Sequence, residues 1–236
     1  MLSQVDLLAF GFRPGDVECG AGGLIAKEAR FGYRVGVVDF CRGEGPPDGA
    51  DEDWRKEAQA AAAVLGIAWR QNLDLTGTRG NTGNDLLAVT VRMIREARPR
   101  LLLVPWQEGR EPERPGAAAV VSHACQAAGL KKYLPELRPH APSGIIYYFT
   151  SRAADPSFIV EVTPVYEVKR NAMAIYRSRF APGRAADPGG SAARMPLIEA
   201  RDRYFGSLIG KSFGEGYMIR GPLAVPDPLY FFGGGQ

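Results

Sequence analysis

From residue 5 to about residue 130 the chain alternates short apolar runs with longer stretches of helical character, and no other feature narrows its fold as far. Val5 to Gly11 is continuously apolar. "YRVGVVDF" (33–40) and "RLLLVPW" (100–106) repeat the pattern, and "IAWRQNL" (67–73) is a shorter version. Uninterrupted apolar runs are the signature of strands covered on both faces. Separated by helical segments, they imply βαβ units and a mainly parallel sheet. The intervening helices are expected at 20–31, at 54–66 with Asp53 as cap and Gly66 as stop, at 86–99 with Asn84 or Asp85 as cap, and at 117–130. Further on, "SGIIYYFT" (143–150) and "PSFIVEV" (156–162) are rich in β-branched and aromatic residues and are expected as strands. Thr163 and Pro164 form an N-cap and first-turn pair for a helix through Tyr176, and a last helix is expected near 195–209. The expected fold is α/β: a Rossmann-like, mainly parallel sheet with helices on both faces, in a single domain over residues 1–236.

Composition excludes several function classes. The net charge of +3 is spread along the chain, without the basic stripe of a nucleic-acid binder. Three cysteines, Cys19, Cys41 and Cys125, are too few and too irregular for a disulfide framework or a zinc knuckle, and are read as small buried hydrophobes. No apolar run reaches the roughly 18 residues of a membrane span, and the N-terminus lacks a basic leader before a long apolar segment. A cytoplasmic protein without nucleic-acid or membrane partners is expected.

In an open parallel sheet, ligands bind where the loops leave the carboxyl ends of the strands. Three such loops, 11–20, 41–53 and 106–116, hold much of the polar chemistry. The first reads "GFRPGDVECG", with one arginine and two acids, followed by the glycine-rich "AGG" (21–23). That glycine cluster either offers an anion site at a helix N-terminus or packs a helix closely on the sheet. Tyr147 and Tyr148 are expected in the core. Metal-activated hydrolysis needs about three protein ligands and a base. Yet the two histidines, His123 and His140, fall outside the three loops, and an arginine keeps its proton in proteins.

At these loops the sequence resembles the PIG-L/LmbE-like family of zinc-dependent N-deacetylases, which act on N-acetylglucosamine-type substrates. "LLAFGFRPGDVECGAGG" resembles the family's strand, H-P-D-D-x-E turn and glycine-rich helix start. "CRGE" (41–44) resembles its T-R-G-E loop, "WRKEAQAAAAVLG" its R-x-x-E-A helix, and "EPER" (111–114) its H-P-D-H loop. "AGLKKY", "PSFIVEVT", "AIYRSRF" and "FGEGYMI" follow in the family's order. The resemblance implies the fold above. It also implies that the zinc-ligand positions are those of Arg13, Asp16 and Arg114, and that the general-base position is that of Gly15.

Only Asp16 keeps a ligand, and Glu111 stands where an assisting histidine is expected. Tyr176 and Arg179 likewise stand where the family prefers histidine and glutamine. The expectation is therefore a site without zinc or other cofactor, in which Arg13 pairs with Asp16 and Arg114 with Glu111 or Glu113. The competing reading is drift into surface ion pairs of little energetic weight. Arg13, Arg42, Glu44, Arg55 and Arg114 are the candidate substrate-binding residues for a sugar-like or anionic small molecule. Arg55 either contacts that ligand or merely opens its helix. Glu111 and Glu113 are weak candidates for a base in an alternative, still active N-deacetylase with a non-standard site. A magnesium or calcium site built from Asp16, Glu18, Glu44, Glu111 and Glu113 is opposed by the neighbouring arginines. A homo-oligomer or an active paralogue is the candidate protein partner.

Overall fold

The computed structural model describes residues 2–41, 51–75, 83–106, 114–150, 154–176 and 191–228. Its centre is a seven-stranded sheet in the order β3-β2-β1-β4-β5-β7-β6. The strands are β1 (Leu7–Gly11), β2 (Val35–Asp39), β3 (Trp69–Asn72), β4 (Leu101–Pro105), β5 (Gly144–Tyr148), β6 (Phe158–Glu161) and β7 (Gly214–Met218). The first five are mutually parallel, and β7 runs antiparallel to both β5 and β6. The helices are α1 (Asp16–Arg30), α2 (Asp51–Leu65), α3 (Gly83–Ala97), α4 (Arg114–Ala128), α5 (Tyr166–Ile175) and α6 (Ser191–Leu208).

Alternation along each strand divides the core into two layers. Leu7 and Ala9 of β1 join Val35, Val37 and Leu103 beneath α1, α2 and α5. Leu8 and Phe10 join Val38, Leu102 and Val104 beneath α3 and α4. Each fully buried aliphatic side chain contributes about 1.5–3 kcal/mol relative to exposure, so both strand faces are apolar for an energetic reason. The expected α/β fold, with helices on both faces of a mostly parallel sheet, is what the chain adopts. Tyr147 and Tyr148 lie in the core as expected, the latter donating to the Phe10 carbonyl at 2.8 Å. Cys19 is buried, while Cys41 and Cys125 are only half-buried. Among the described residues no helix is long and apolar enough to cross a membrane.

Several local expectations need correction. Helix α1 starts at Asp16, four positions before the expected Gly20, because Gly15 takes φ 92° and turns the chain at once into the helix. α2 starts at Asp51 and α3 at Gly83, so Asp53, Asn84 and Asp85 lie inside helices rather than before them. Thr163 does not cap a helix. It opens a short 3₁₀ turn (Thr163–Val165), and its hydroxyl accepts from the Phe213 amide at 3.1 Å. Strand β7, which sequence periodicity does not flag, reads "GEGYM" and inserts between β5 and β6.

Candidate functional site

Parallel pairing brings Gly11, Asp39 and Pro105, the last residues of β1, β2 and β4, to one sheet edge. The chain order reverses there, since β1 lies between β2 and β4. That crevice is where open α/β sheets bind ligands. The turn from Phe12 to Gly15 crosses it. A side chain on Gly11 would come within 2.9 Å of Asp39 Oδ1, so the turn depends on glycine to approach β2.

The turn's polar residues sit differently from a flexible loop. Asp16 and Glu18, in the first helical turn, are 1% and 0% exposed. The backbone N–H of Arg13 donates to Asp16 Oδ2 at 3.2 Å, which closes the turn leading into α1. Acids in the first turn of a helix also complement its dipole. The expected pairing of the Arg13 side chain with Asp16 thus has a backbone counterpart. Arg114 is the first residue of α4. Its expected pairing partner, Glu111 or Glu113, lies outside the described residues, as do Arg42 and Glu44.

Beneath the turn is a buried ion network that sequence reasoning missed. Arg70 of β3 donates to Asp39 through Nε at 2.6 Å and Nη2 at 3.0 Å, a bidentate pair. Its Nη1 reaches Glu18 at 2.5 Å and Tyr176 at 3.0 Å. The Tyr176 hydroxyl donates to Glu18 Oε1 at 2.7 Å, whereas Glu18 Oε2 has no hydrogen-bond partner among the described residues. Burial pushes the Asp39 carboxyl up to about 6 against the pull of Arg70, with the nearby Glu18 and Asp16 carboxylates pushing the same way as burial. Burial also works against the charge on Arg70, but Asp39 and Glu18 outweigh it and hold the guanidinium well above its ordinary value. The Tyr176 phenol is raised by burial and by Glu18. Both partners of the Arg70–Asp39 pair are therefore charged at neutral pH. Glu18 Oε1 is engaged by both Arg70 and Tyr176. The signals available in the sequence were an arginine inside a strand and an aspartate at a strand's carboxyl end.

The glycine cluster resolves as close packing. Gly22 lies against the Lys169 side chain, and a Cβ on Gly23 would sit 2.7 Å from Val162. The anion expected at this cluster is the protein's own. Glu215 accepts from the Gly23 and Leu24 amides at 2.8 and 2.7 Å, inside α1 and not at its start. Lys169 bridges Glu215 and Asp202 at 2.6 Å each, all three fully buried. Tyr217 donates to Glu215, and Arg201 ties Asp202 to the Cys19 carbonyl. This second network pins α1 to α5, α6 and β7, and so fixes the helix whose first turn forms the site.

Beside the turn opens a cleft of about 370 Å³ between α2 and the ends of β2 and β3. Pro14, Asp39, Trp54, Arg55, Arg70 and Asp74 are among its walls. Arg55 lies in α2 with its side chain largely exposed, paired to Asp74 at 2.9 Å. It lies in the second turn of α2, which begins at Asp51, and so does not open the helix.

Arg13 and Gly15 offer no ligand, and the described residues contain no cluster of three histidine, cysteine, aspartate or glutamate side chains able to hold a metal. His123 is exposed on α4 rather than packed in the core. His140 Nε2 lies 2.6 Å from the Pro99 carbonyl, at the opposite edge of the sheet.

The PIG-L family model, described as GlcNAc-PI de-N-acetylase, matches residues 8–125. The diacetylchitobiose deacetylase of Thermococcus kodakarensis is 26% identical over 219 residues, covering 86% of this chain and 78% of that protein. A conserved protein of Thermus thermophilus shares 29% identity with a TM-score of 0.81, over 94% of this chain and 98% of its own. The 4-carboxy-2-hydroxymuconate hydratase of Pseudomonas putida shares the fold with a TM-score of 0.77 at 19% identity, over 96% and 99% of the two chains.

Proposed function

The chain belongs to the PIG-L family, and we propose that it is a deacetylase-like member that has exchanged its zinc ligands and general base for a ligand-binding site. In this reading the carboxyl-edge crevice holds a sugar-like or anionic small molecule without hydrolysing it. The protein then acts as a binding protein or as a partner of an active paralogue, in the cytoplasm. One observation carries the reading: the turn that presents the family's H-P-D-D motif here presents a guanidinium at 13 and a glycine at 15. Asp16, the remaining oxygen donor, already accepts the Arg13 amide. A guanidinium supplies fixed positive charge with planar donors suited to carboxylate or phosphate. Arg42, Glu44 and Arg114 belong to the same proposed pocket by their place in the family motifs, and Arg55 borders it. Family membership does not decide the reaction, since a hydratase shares this fold.

Two assays test the proposal. Incubation with N-acetylglucosaminyl malate and with N,N′-diacetylchitobiose, with added zinc and with chelator, should release no acetate in either condition. Zinc-dependent release overturns the proposal in favour of an active N-deacetylase. The second assay is restoration. Arg13→His, Gly15→Asp, Glu111→His and Arg114→His together should create stoichiometric zinc binding if the loops hold family geometry. A folded variant that binds no zinc shows that the loops have departed from family geometry.

A further inference from the structure

A second cavity, of about 350 Å³, opens at the amino ends of the strands, on the sheet edge opposite the crevice. Its floor belongs to the core layer beneath α1. Leu7 and Leu24 are buried there, but Leu101 and Ile146 stay half-buried, so the sheet presents apolar surface to the cavity. Polar groups of opposite kind border that floor. On one side the last turn of α1 brings Glu28, and the Tyr33 amide donates to the Glu28 carbonyl at 3.0 Å, which seats Tyr33 beside it. On the other side Arg100 and Ser143 lead into the paired strands β4 and β5, and the Ser143 amide donates to the Arg100 carbonyl at 2.7 Å. The sheet order keeps the two sides apart, since β1 lies between β2, into which Tyr33 leads, and β4.

The fold leaves these groups unused. The Glu28 carboxylate and the Tyr33 and Ser143 hydroxyls have no hydrogen-bond partner among the described residues. Lys27, next to Glu28 in the chain, sends its ammonium to the Glu161 carbonyl at 3.0 Å instead. Partial burial raises the Glu28 carboxyl above its ordinary value, with Lys27 pulling it down, and an added cation stabilises a carboxylate in that state. The carbonyl end of α1 favours the same charge. The Arg100 side chain is 70% exposed and stands 3.9 Å from Asp6, beyond hydrogen-bond distance, while Asp6 accepts the Arg34 amide at 3.0 Å.

From this arrangement we infer that the cavity is a binding site for a free α-amino acid with an apolar side chain. The ligand's ammonium goes to Glu28 and the Tyr33 hydroxyl, its carboxylate to Arg100 and Ser143, and its side chain onto the leucines and Ile146 between them. A ligand with only the positive charge leaves Arg100 unanswered, and one with only the negative charge leaves Glu28 so. The volume is at the lower end for small-molecule sites, which suits a single amino acid. Nothing here draws on the carboxyl-edge crevice or its ligand, so this site and the proposed function stand or fall separately.

The test is a ¹⁵N–¹H chemical-shift titration of the whole chain with L-leucine and L-phenylalanine. Isoamylamine and 4-methylpentanoate, which keep the leucine side chain but carry only the amine or only the acid, are titrated beside them. At least one amino acid should bind by about 10 mM and move the Tyr33 and Ser143 amides, with the amine and the acid each at least about tenfold weaker. Glu28→Gln and Arg100→Met should each weaken the amino acid about tenfold, the effect of losing one charge-assisted hydrogen bond. Their unfolding curves should follow the wild type, since neither side chain holds a hydrogen bond in the fold. Arg55→Ala, in the other cleft, should leave the affinity unchanged. No shift with either amino acid, shifts confined to the residues around Arg55, the amine or the acid alone matching the amino acid, or undiminished binding to both E28Q and R100M overturns the inference.

Discussion

Arg70→Met isolates the network beneath the turn. Methionine approximates the length of the arginine stem but removes five hydrogen bonds: two to Asp39 and one each to Glu18, Tyr176 and the Ala58 carbonyl. It leaves two carboxylates whose side chains are 1% and 0% exposed with no cation between them. Removing one partner of a buried pair costs about 3–5 kcal/mol, and two stranded acids place this variant at the upper end of that range. Against a total stability of about 5–15 kcal/mol, the loss would be plain in urea denaturation followed by circular dichroism.

The pH dependence gives the sharper reading. Burial already raises Asp39 to about 6, with Arg70 pulling the other way. Without Arg70 the folded-state pKa rises further above its unfolded value. A carboxyl raised on folding contributes stability below its unfolded pKa and loses it as pH climbs through the folded one. The penalty of Arg70→Met should therefore be largest near neutrality and above, and shrink toward about pH 5. Adding Asp39→Asn and Glu18→Gln should restore most of the loss. A penalty below about 1 kcal/mol at neutral pH, the scale of an exposed pair, would refute the reasoning. So would a penalty that grows on acidification.

Gly23→Ala should lower the melting temperature even though alanine favours a helix by about 1 kcal/mol. Its Cβ would meet Val162 at 2.7 Å and Glu215 Oε1 at 3.0 Å, and overpacking of this kind costs about 1–3 kcal/mol before the carboxylate is disturbed. Lys169→Met strands the buried Asp202 and Glu215, so calorimetry should show a destabilisation of about 3–5 kcal/mol. Arg55→Ala breaks only an exposed pair with Asp74. Its denaturation curve should stay within about 1 kcal/mol of the wild type, while binding of a carboxylate-bearing probe weakens.

The parallel half of the fold was legible because its strands are buried on both faces and read as unbroken apolar runs. β7 was not, since "GEGYM" carries two glycines and a glutamate. Those residues make sense only in three dimensions. Gly214 and Gly216 admit Ile159 and Phe205, and Glu215 receives the α1 amides. The same holds for α1: no propensity rule places a helix start at Asp16, because the left-handed Gly15 resets the chain in one residue. The candidate site was legible where its residues lie in the motif turn. Arg70, Asp39 and Trp54 were not, for they reach the site from separate elements and their pairing is a tertiary fact.

The two buried networks fix the backbone of this turn. Asp16 and Glu18 hold the start of α1 from below, through the Arg13 amide and Arg70. Glu215 and Lys169 hold its middle from the side. Neither support involves the Arg13 side chain, and Gly15 contributes only a backbone angle. The bonds named here run through the Arg13 backbone and through Arg70, so exchanging the side chain at 13 keeps them. A restored histidine at 13 would arrive on a turn already in place, whereas a restored aspartate at 15 must adopt the left-handed φ of 92° that glycine takes freely. Zinc affinity in the restored protein should therefore be limited by position 15 more than by position 13. Adding Gly15→Asp to the three histidine changes should lower the melting temperature, and the three histidine changes alone should not. If the order is reversed, the turn is held by the Arg13 side chain instead.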